Sequence, residues 1–497
     1  MSVKKELLAL AIAVCTIFTG CSDKTGSSSS SDEKVQSDTG TAAQENAVNK
    51  EDIVITLGLL SEPEDEGLIK AIDDFNNADN GCRIETEYMS SRYDEDGIIH
   101  GYTDEEISNI DFNTIQMIMK DGGPDIIGGG TFGDSAKYEL LKQKGAFADL
   151  YKFMENDPEV NTSALDKHIL ELNELDGKLY SIPQYYDVHT IISKSEYGGT
   201  KQNWTIGEFI DHWNSMPEGS TIEGSNCAEY IFYNLLRENL PSFVDEKNIK
   251  VSFDSEDFRK MLEFCKQFPS NNGQKADYDY TAPRLTGNYW IKSVSDAIYN
   301  ETNYQTYEQK QYRLRDGGYT LVGYPTSDGS GAYLSTDYPG WSISAASSDE
   351  KQEAAWKFIR QFYTEEFQTE NGVIGNEYLD DKGEKKIYYS TDLGFCINNA
   401  ARKKIAENII SGMYDSEEPE YAQGHEITID KLKLDEKDCE FIENYVNSID
   451  CWDTRIDREL WWIVNDEVLT CLGGGQSVDS AIDMIQNRAS LWVSERY

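Results

Sequence analysis

Carboxylates are the most abundant reactive groups in this sequence, 90 Asp and Glu against 45 Lys and Arg. Two of them held roughly 5 to 9.5 Å apart would suffice to cleave a glycosidic bond. No local motif nominates such a pair, so a cell-surface glycoside hydrolase stands as an alternative without a named site. A serine hydrolase would need G-x-S-x-G and a zinc hydrolase H-E-x-x-H. Neither occurs, and His100, His168, His189, His212 and His425 are scattered. Asp94-Glu95-Asp96-Gly97 is acidic, but its glycine comes too early for a calcium loop and it reads as a solvated turn. There is no P-loop, and no motif implies a metal or cofactor. Apart from Cys15 and Cys21, seven cysteines remain at long spacings without C-x-x-C, which disfavours metal ribbons and a dense disulfide framework. Cys439 with Cys451, or Cys451 with Cys471, could pair; free buried thiols are the alternative.

The chain is richer in groups that bind than in groups that react. It carries 30 Tyr and 9 Trp, rings with an apolar face and a polar tip. A sugar is neutral, dense in hydroxyls and has apolar C–H faces, so its site needs ring plates together with side chains that give and accept hydrogen bonds. The formal net charge of −45 argues against nucleic acid, whose phosphates need a basic surface. An anionic ligand would need a local basic pocket, with Arg92 and Arg284 as the residues to watch.

These side chains must be held by an α/β frame. Ile53–Leu59 is apolar almost throughout, as a strand buried on both faces should be. A helix from Glu66 to Asn76 places Leu68, Ile69, Ile72 and Phe75 on one stripe. Arg83–Tyr88 alternates as a strand, a helix follows from about Asp104 to Met119, and Pro124–Ile127 is a short strand before Gly128-Gly129-Gly130. Strand, helix, strand, helix, strand is the order of an open α/β sheet. A helix over Ser135–Lys144 ends at Gly145. Val188–Ser193 and Tyr319–Pro325 read as extended crossings between lobes, Thr205-x-x-Glu208 as a capping box, and Ser347-x-x-Glu350 as the start of another helix. The C-terminal third is helical, with stripes at Cys439, Ile442, Val446 and Ile449, at Ile456, Leu460, Val464 and Leu469, and at Val478–Trp492.

The N-terminus has its own logic. Lys4 and Lys5 precede the apolar run Leu7–Phe18, far short of the roughly 20 residues a spanning helix needs. Phe18-Thr19-Gly20-Cys21 resembles the lipobox of bacterial lipoproteins. That resemblance implies a signal peptide over 1–20, cleavage after Gly20 and acyl chains, palmitate among them, on Cys21. Residues 22–50, with the serine run Ser27–Ser31, cannot bury enough surface to offset their ordering entropy and read as a flexible tether. The expected location is the outer face of the cell membrane, held by lipid.

The body resembles the extracellular solute-binding proteins of ABC importers, in their sugar-binding (family 1) group. The likeness rests on a series of segments in one order. They are Ile53–Phe75; Gly122-Gly123-Pro124-Asp125-Ile126-Ile127; Lys144–Leu150 with Asp157-Pro158-Glu159; Asp176–Pro183; Trp204-Thr205; Gly340–Ser347 running into Ala354–Ile359; and Ala481–Glu495. Cys396, in Phe395-Cys396-Ile397-Asn398, stands where the family commonly has proline. The resemblance implies a periplasmic-binding-protein-like fold of type II, two α/β lobes that close by hinge motion on a ligand in the cleft. One lobe would be 51–186 plus 322–372, the other 187–321 plus 373–497. It further implies a non-enzymatic monomer, a carbohydrate ligand (an oligosaccharide, or alternatively a peptide or amino acid) and the permease subunits of an importer as partners. In open α/β sheets ligands sit beyond the carboxyl ends of the strands. This points to Glu62 after the first strand and to Tyr185, Tyr186 and Asp187 at the first crossing. Tyr299 and Asn300 match the family segment facing the cleft, Trp341 the position of a stacking aromatic, and Trp452 a loop able to line the cleft. Of Tyr185 and Tyr186, alternation should bury one. Trp356 and Trp492 lie on apolar stripes and are expected in the core.

Overall fold

Strand β1 (Ile53–Leu59) holds Ile55 and Leu57 with no exposed surface, on one face of its sheet and in one apolar cluster with Phe75, Phe153 and Phe358. The computed structural model describes residues 52–61, 63, 66–88, 104–118, 120, 122–128, 135–235, 237–245, 248–271, 278–279, 281–303, 305–337, 340–379, 385–391, 393–414, 421–422, 424–429, 431–452 and 458–496. Along the chain, α1 (Glu66–Asn77), β2 (Cys82–Tyr88), α2 (Asp104–Ile118), β3 (Ile126–Gly128) and α3 (Ser135–Gln143) follow β1 in the expected order. The long strand β4 spans Tyr185–Lys194, then come α4 (Ile206–Asn214), α5 (Ala228–Leu235), α6 (Glu256–Cys265) and β5 (Gly287–Ile291). A hairpin of β6 (Ile298–Asn303) and β7 (Glu308–Arg313) precedes β8 (Tyr319–Leu321), β9 (Tyr333–Ser335) and β10 (Trp341–Ile343). After α7 (Asp349–Ile359) and α8 (Glu365–Asn371) come β11 (Phe395–Cys396), α9 (Asn399–Ile410), α10 (Glu436–Val446), α11 (Arg458–Leu472) and α12 (Val478–Arg496). The C-terminal third is therefore mainly helical, as expected, with short hairpins added at 374–390 and 421–426.

The first sheet has the order β10-β3-β1-β2. β2 and β3 run parallel to β1, and β10 closes the edge antiparallel to β3. Phe75 of α1 meets Phe358 of α7 edge to face at 5.3 Å. Asp125 is buried and earns its place through partners: its carboxylate accepts from Thr56 N at 2.9 Å, Ser347 Oγ at 2.6 Å and Lys351 Nζ at 2.8 Å. Because Ser347 is engaged there, the helix it was expected to cap begins one residue later, with Ser348 accepting from Lys351 N. At α4 the expected capping box is present, Thr205 and Glu208 each satisfying the other's backbone N–H.

The second sheet is organised on β4. β8 and β9 pair with its two halves along one edge, and β5 and β11 along the other, all antiparallel. One apolar cluster runs from the first sheet through the hinge to α10, and a second joins Trp204, Phe232, Phe258 and Val322 to α11 and α12. Phe395–Cys396 pairs with Tyr186 and Tyr185, and α9 packs on α8. Residues 393–410 thus lie against elements expected in the first lobe, across the boundary read at 372/373. All seven cysteines that the structure describes are free thiols.

Candidate ligand-binding site

Successive side chains of a strand point to opposite faces of its sheet. Along β4, Tyr185, Asp187, His189 and Ile191 share one face, and Tyr186, Val188, Thr190 and Ile192 the other. On the first face, register sets residues side by side across three strands. His189 pairs with Trp290 of β5 and with Tyr333 of β9. Asp187 pairs with Ser335 of β9, and Lys292 follows Ile291, the partner of Val188. The result is a row of rings beside a row of polar groups.

The rings are in contact. His189 stacks on Tyr333 with centroids 4.8 Å apart and planes 6° from parallel, and meets Trp290 at 5.0 Å. Tyr333 stacks in turn on Tyr324 at 5.7 Å. Trp290 is 55% exposed, an unusual state for the largest apolar side chain. Lys292 Nζ lies 5.8 Å from its ring centroid, within cation–π reach. In the polar row, Ser335 Oγ donates to Asp187 Oδ1 at 2.6 Å, and His189 Nε2 lies 3.4 Å from Asp187 Oδ2. Burial alone would raise the Asp187 pKa, but the bonds from His189 and Ser335 and the nearby Lys292 charge hold it below the ordinary carboxylate value. The carboxylate is therefore ionised at neutral pH, and it fixes His189 against the ring row. Such a shelf offers apolar plates beside hydrogen-bonding groups.

The sequence-derived residues disperse from this point. Asp187 lies in the shelf. Tyr185 and Tyr186 are both buried, at 3% and 2% exposure, so alternation did not leave one of them open. Phe395 and Cys396 pair across them, and each face of the strand is covered here. Tyr185 packs with Cys396, Ala401 and Ile405. Tyr186 tilts against Phe395 at 5.5 Å and its hydroxyl donates to Asp166 Oδ2 at 3.4 Å; its pKa is raised, chiefly by burial. Trp452 forms a backbone bridge to Leu334, which puts it beside β9. Trp341 opens β10 opposite Gly128, at the carboxyl end of β3. It is 7% exposed, lies 5.8 Å from Phe362, and its buried indole N–H finds no partner among the described residues. Gly340 before it is required, with φ at +78° and Ile182 O only 1.8 Å from where a Cβ would stand. Tyr299 turns to the opposite face of the second sheet, 4.5 Å from Tyr319, and Asn300, on the other side of β6, takes a bond from Gln311 Nε2 at 3.0 Å. Glu62 and Cys21 lie outside the described residues. Trp356 and Trp492 are core residues, as expected, Trp356 Nε1 donating to Asp157 Oδ2 at 2.9 Å.

His189, Trp290, Lys292 and Tyr333 were not anticipated. Their signal was present: Asp187 and His189 break the apolar run of β4 at every second residue, and Asn288 and Lys292 flank Trp290 at the same spacing on β5 and just after it. Reading it required knowing which strands pair.

The model of the bacterial extracellular solute-binding protein family matches residues 131–376, a span containing β4, β5, β9 and hence the whole shelf. Over this span the chain is similar to the bacterial extracellular solute-binding proteins. This family is one of binding proteins, of the ABC-transporter type, and not of catalysts. Among solved structures, an extracellular solute-binding protein of family 1 from Alicyclobacillus acidocaldarius aligns over 89% of this chain and 98% of its own, with a TM-score of 0.50 at 12% identity. A periplasmic oligogalacturonide binding protein from Yersinia enterocolitica aligns over 89% and 99%, with a TM-score of 0.52 at 12% identity. Both share the fold, which gives this chain the two-lobed type II architecture. No curated protein sequence matches it. Among the described residues, no group of His, Cys, Asp and Glu could hold a metal ion, and no helix is long and apolar enough to cross a membrane.

Proposed function

We propose that this protein is the extracellular substrate-binding component of an ABC importer that captures a carbohydrate, an oligosaccharide, in its interlobe cleft and delivers it to the permease. The observation that carries the ligand class is the Trp290–His189–Tyr333 row beside Asp187 and Ser335, since exposed ring faces next to hydrogen-bonding groups suit the alternating C–H and O–H surfaces of a sugar. Trp341, whose indole N–H has no partner among the described residues, and Trp452 complete the set from the first sheet and from the edge of β9. Closure of the lobes about β4 commits the ligand, and the monomer is tethered to the outer face of the membrane by lipid on Cys21. Support for the anchor is the run Leu7–Phe18 followed by Thr19-Gly20-Cys21.

Titration calorimetry on residues 51–497 tests the ligand, against neutral mono- and oligosaccharides with short peptides and amino acids as controls. Saturable binding of one sugar class, with the sugar recovered intact, is expected. Binding of peptides alone would overturn the carbohydrate reading, and cleavage of the sugar would overturn the transport role.

A further inference from the structure

The opposite face of the β4 sheet carries a second concavity that the shelf does not use. Beyond the end of α10, which covers Thr190 through a 2.6 Å bond between Thr190 Oγ1 and Tyr445 Oη, a groove of about 680 Å³ opens between the β6–β7 hairpin, the end of β4 and residues 281–287. That volume lies within the range of small-molecule sites, about 300–1,000 Å³. Lys194 stands on the far end of β4, five residues from His189 and so about 17 Å along the strand, with its side chain on the other face. The groove and the shelf are separate places.

Its lining has a chemistry of its own. Tyr299 and Tyr319, in contact at 4.5 Å, supply ring surface. Lys194, Arg284 and Lys310 supply cations, and Glu301 and Glu308 stand in the same wall as carboxylates, in a chain whose net charge is −45. Lys194 is 3.5 Å from Glu196, and Lys310 lies 5.0 Å from the Tyr312 ring centroid. Arg284, half-buried, has neither an ion pair nor a side-chain hydrogen bond among the described residues. A guanidinium is best satisfied by a planar carboxylate that accepts two bonds. Gln309 lines the same groove; its Oε1 is buried and has no donor among the described residues, and its Nε2 bonds Thr302 Oγ1 at 3.4 Å. An unpaired cation in a groove walled by rings asks for a ligand with a carboxylate.

We infer that this groove is a second ligand site, for a small carboxylate held by Arg284 against the Tyr299–Tyr319 rings, with Gln309 in the wall. Sugar acids and amino acids share this chemistry. The test is calorimetry on the mature chain with D-glucuronate, D-glucose and L-glutamine as separate titrants, repeated on Arg284→Gln, Gln309→Leu and Trp290→Ala. Saturable binding of glucuronate or glutamine is expected. Arg284→Gln should weaken it about tenfold or more, Gln309→Leu should weaken it by less, and Trp290→Ala should leave it unchanged. Which titrant binds decides between sugar acid and amino acid. Glucose and glucuronate binding alike, Arg284→Gln without effect while the variant melts normally, or loss of carboxylate binding in Trp290→Ala would each overturn the second site. The shelf is judged separately, by neutral oligosaccharide binding in the same variants.

Discussion

The two faces of β4 have one backbone and opposite fates. Val188, Thr190 and Ile192 are buried on one face against α10 and the continuous core. Asp187 and His189, on the other, sit in a row that ends at a half-exposed tryptophan. A strand covered on both sides would be apolar at every position, so the polar alternation at 187 and 189 marks where packing has been given up. The difference teaches that function lies where the pattern expected of a buried strand fails, and that substitutions on the two faces should separate stability from affinity.

The largest effect should come from the packed face. Leu334 of β9 has no exposed surface and neighbours Val188. Leu334→Ala should cost about 3 kcal/mol of folding stability through lost burial and the cavity left behind, read as a lower midpoint of urea unfolding. A cost below about 1 kcal/mol would mean that this face is not the structural one. On the open face, Trp290→Ala should shift the midpoint by no more than about 0.5 kcal/mol, as an exposed position allows, while lowering affinity for the neutral sugar by about tenfold or more, worth about 1.4 kcal/mol. Unfolding and calorimetry on the same preparation give both numbers. A loss of stability with affinity intact would invert the comparison.

On the open face, Asp187 ties stability to pH. Its folded pKa lies below the ordinary value of about 3.9. A depressed carboxylate contributes stability that is present above its unfolded pKa and is lost as pH falls through the folded one. Stability should therefore decline below about pH 4, and Asp187→Asn should flatten part of that decline while leaving the curve above pH 5 parallel to the wild type. Urea midpoints across pH 3–7 would show it, and an unchanged acid slope would remove Asp187 from the account.

How much of this was legible depends on whether a signal is local. The strands and helices of the first sheet follow from runs such as Ile53–Leu59 and Leu68–Phe75, because a buried parallel strand and an amphipathic helix each announce themselves within ten residues. Thr205-x-x-Glu208 was read as a cap for the same reason. The shelf was not, since Trp290 and Tyr333 stand far from His189 in sequence and meet it only through the register of β5 and β9. Tyr299 was placed with Asp187 by analogy of segment, whereas the hairpin it belongs to turns it to the opposite face. Tyr185 and Tyr186 were misjudged because alternation describes a strand with one open face, and at 185–186 β11 and α9 close the other.

That last correction gives the finest test. The Tyr186 hydroxyl is buried beside Asp166, whose carboxylate also holds Arg402 Nη2 at 2.9 Å and the His168 backbone N–H at 3.1 Å. Tyr186→Phe removes one long bond of 3.4 Å and keeps the ring against Phe395. Asp166 retains its stronger partners, so the expected cost is about 1 kcal/mol or less. Affinity for the sugar should not change, because the ring presents no surface to a ligand. If Tyr186→Phe instead weakened binding with the midpoint unmoved, its hydroxyl would have to reach the ligand in the closed form, and the packed face of β4 would prove to open when the lobes move.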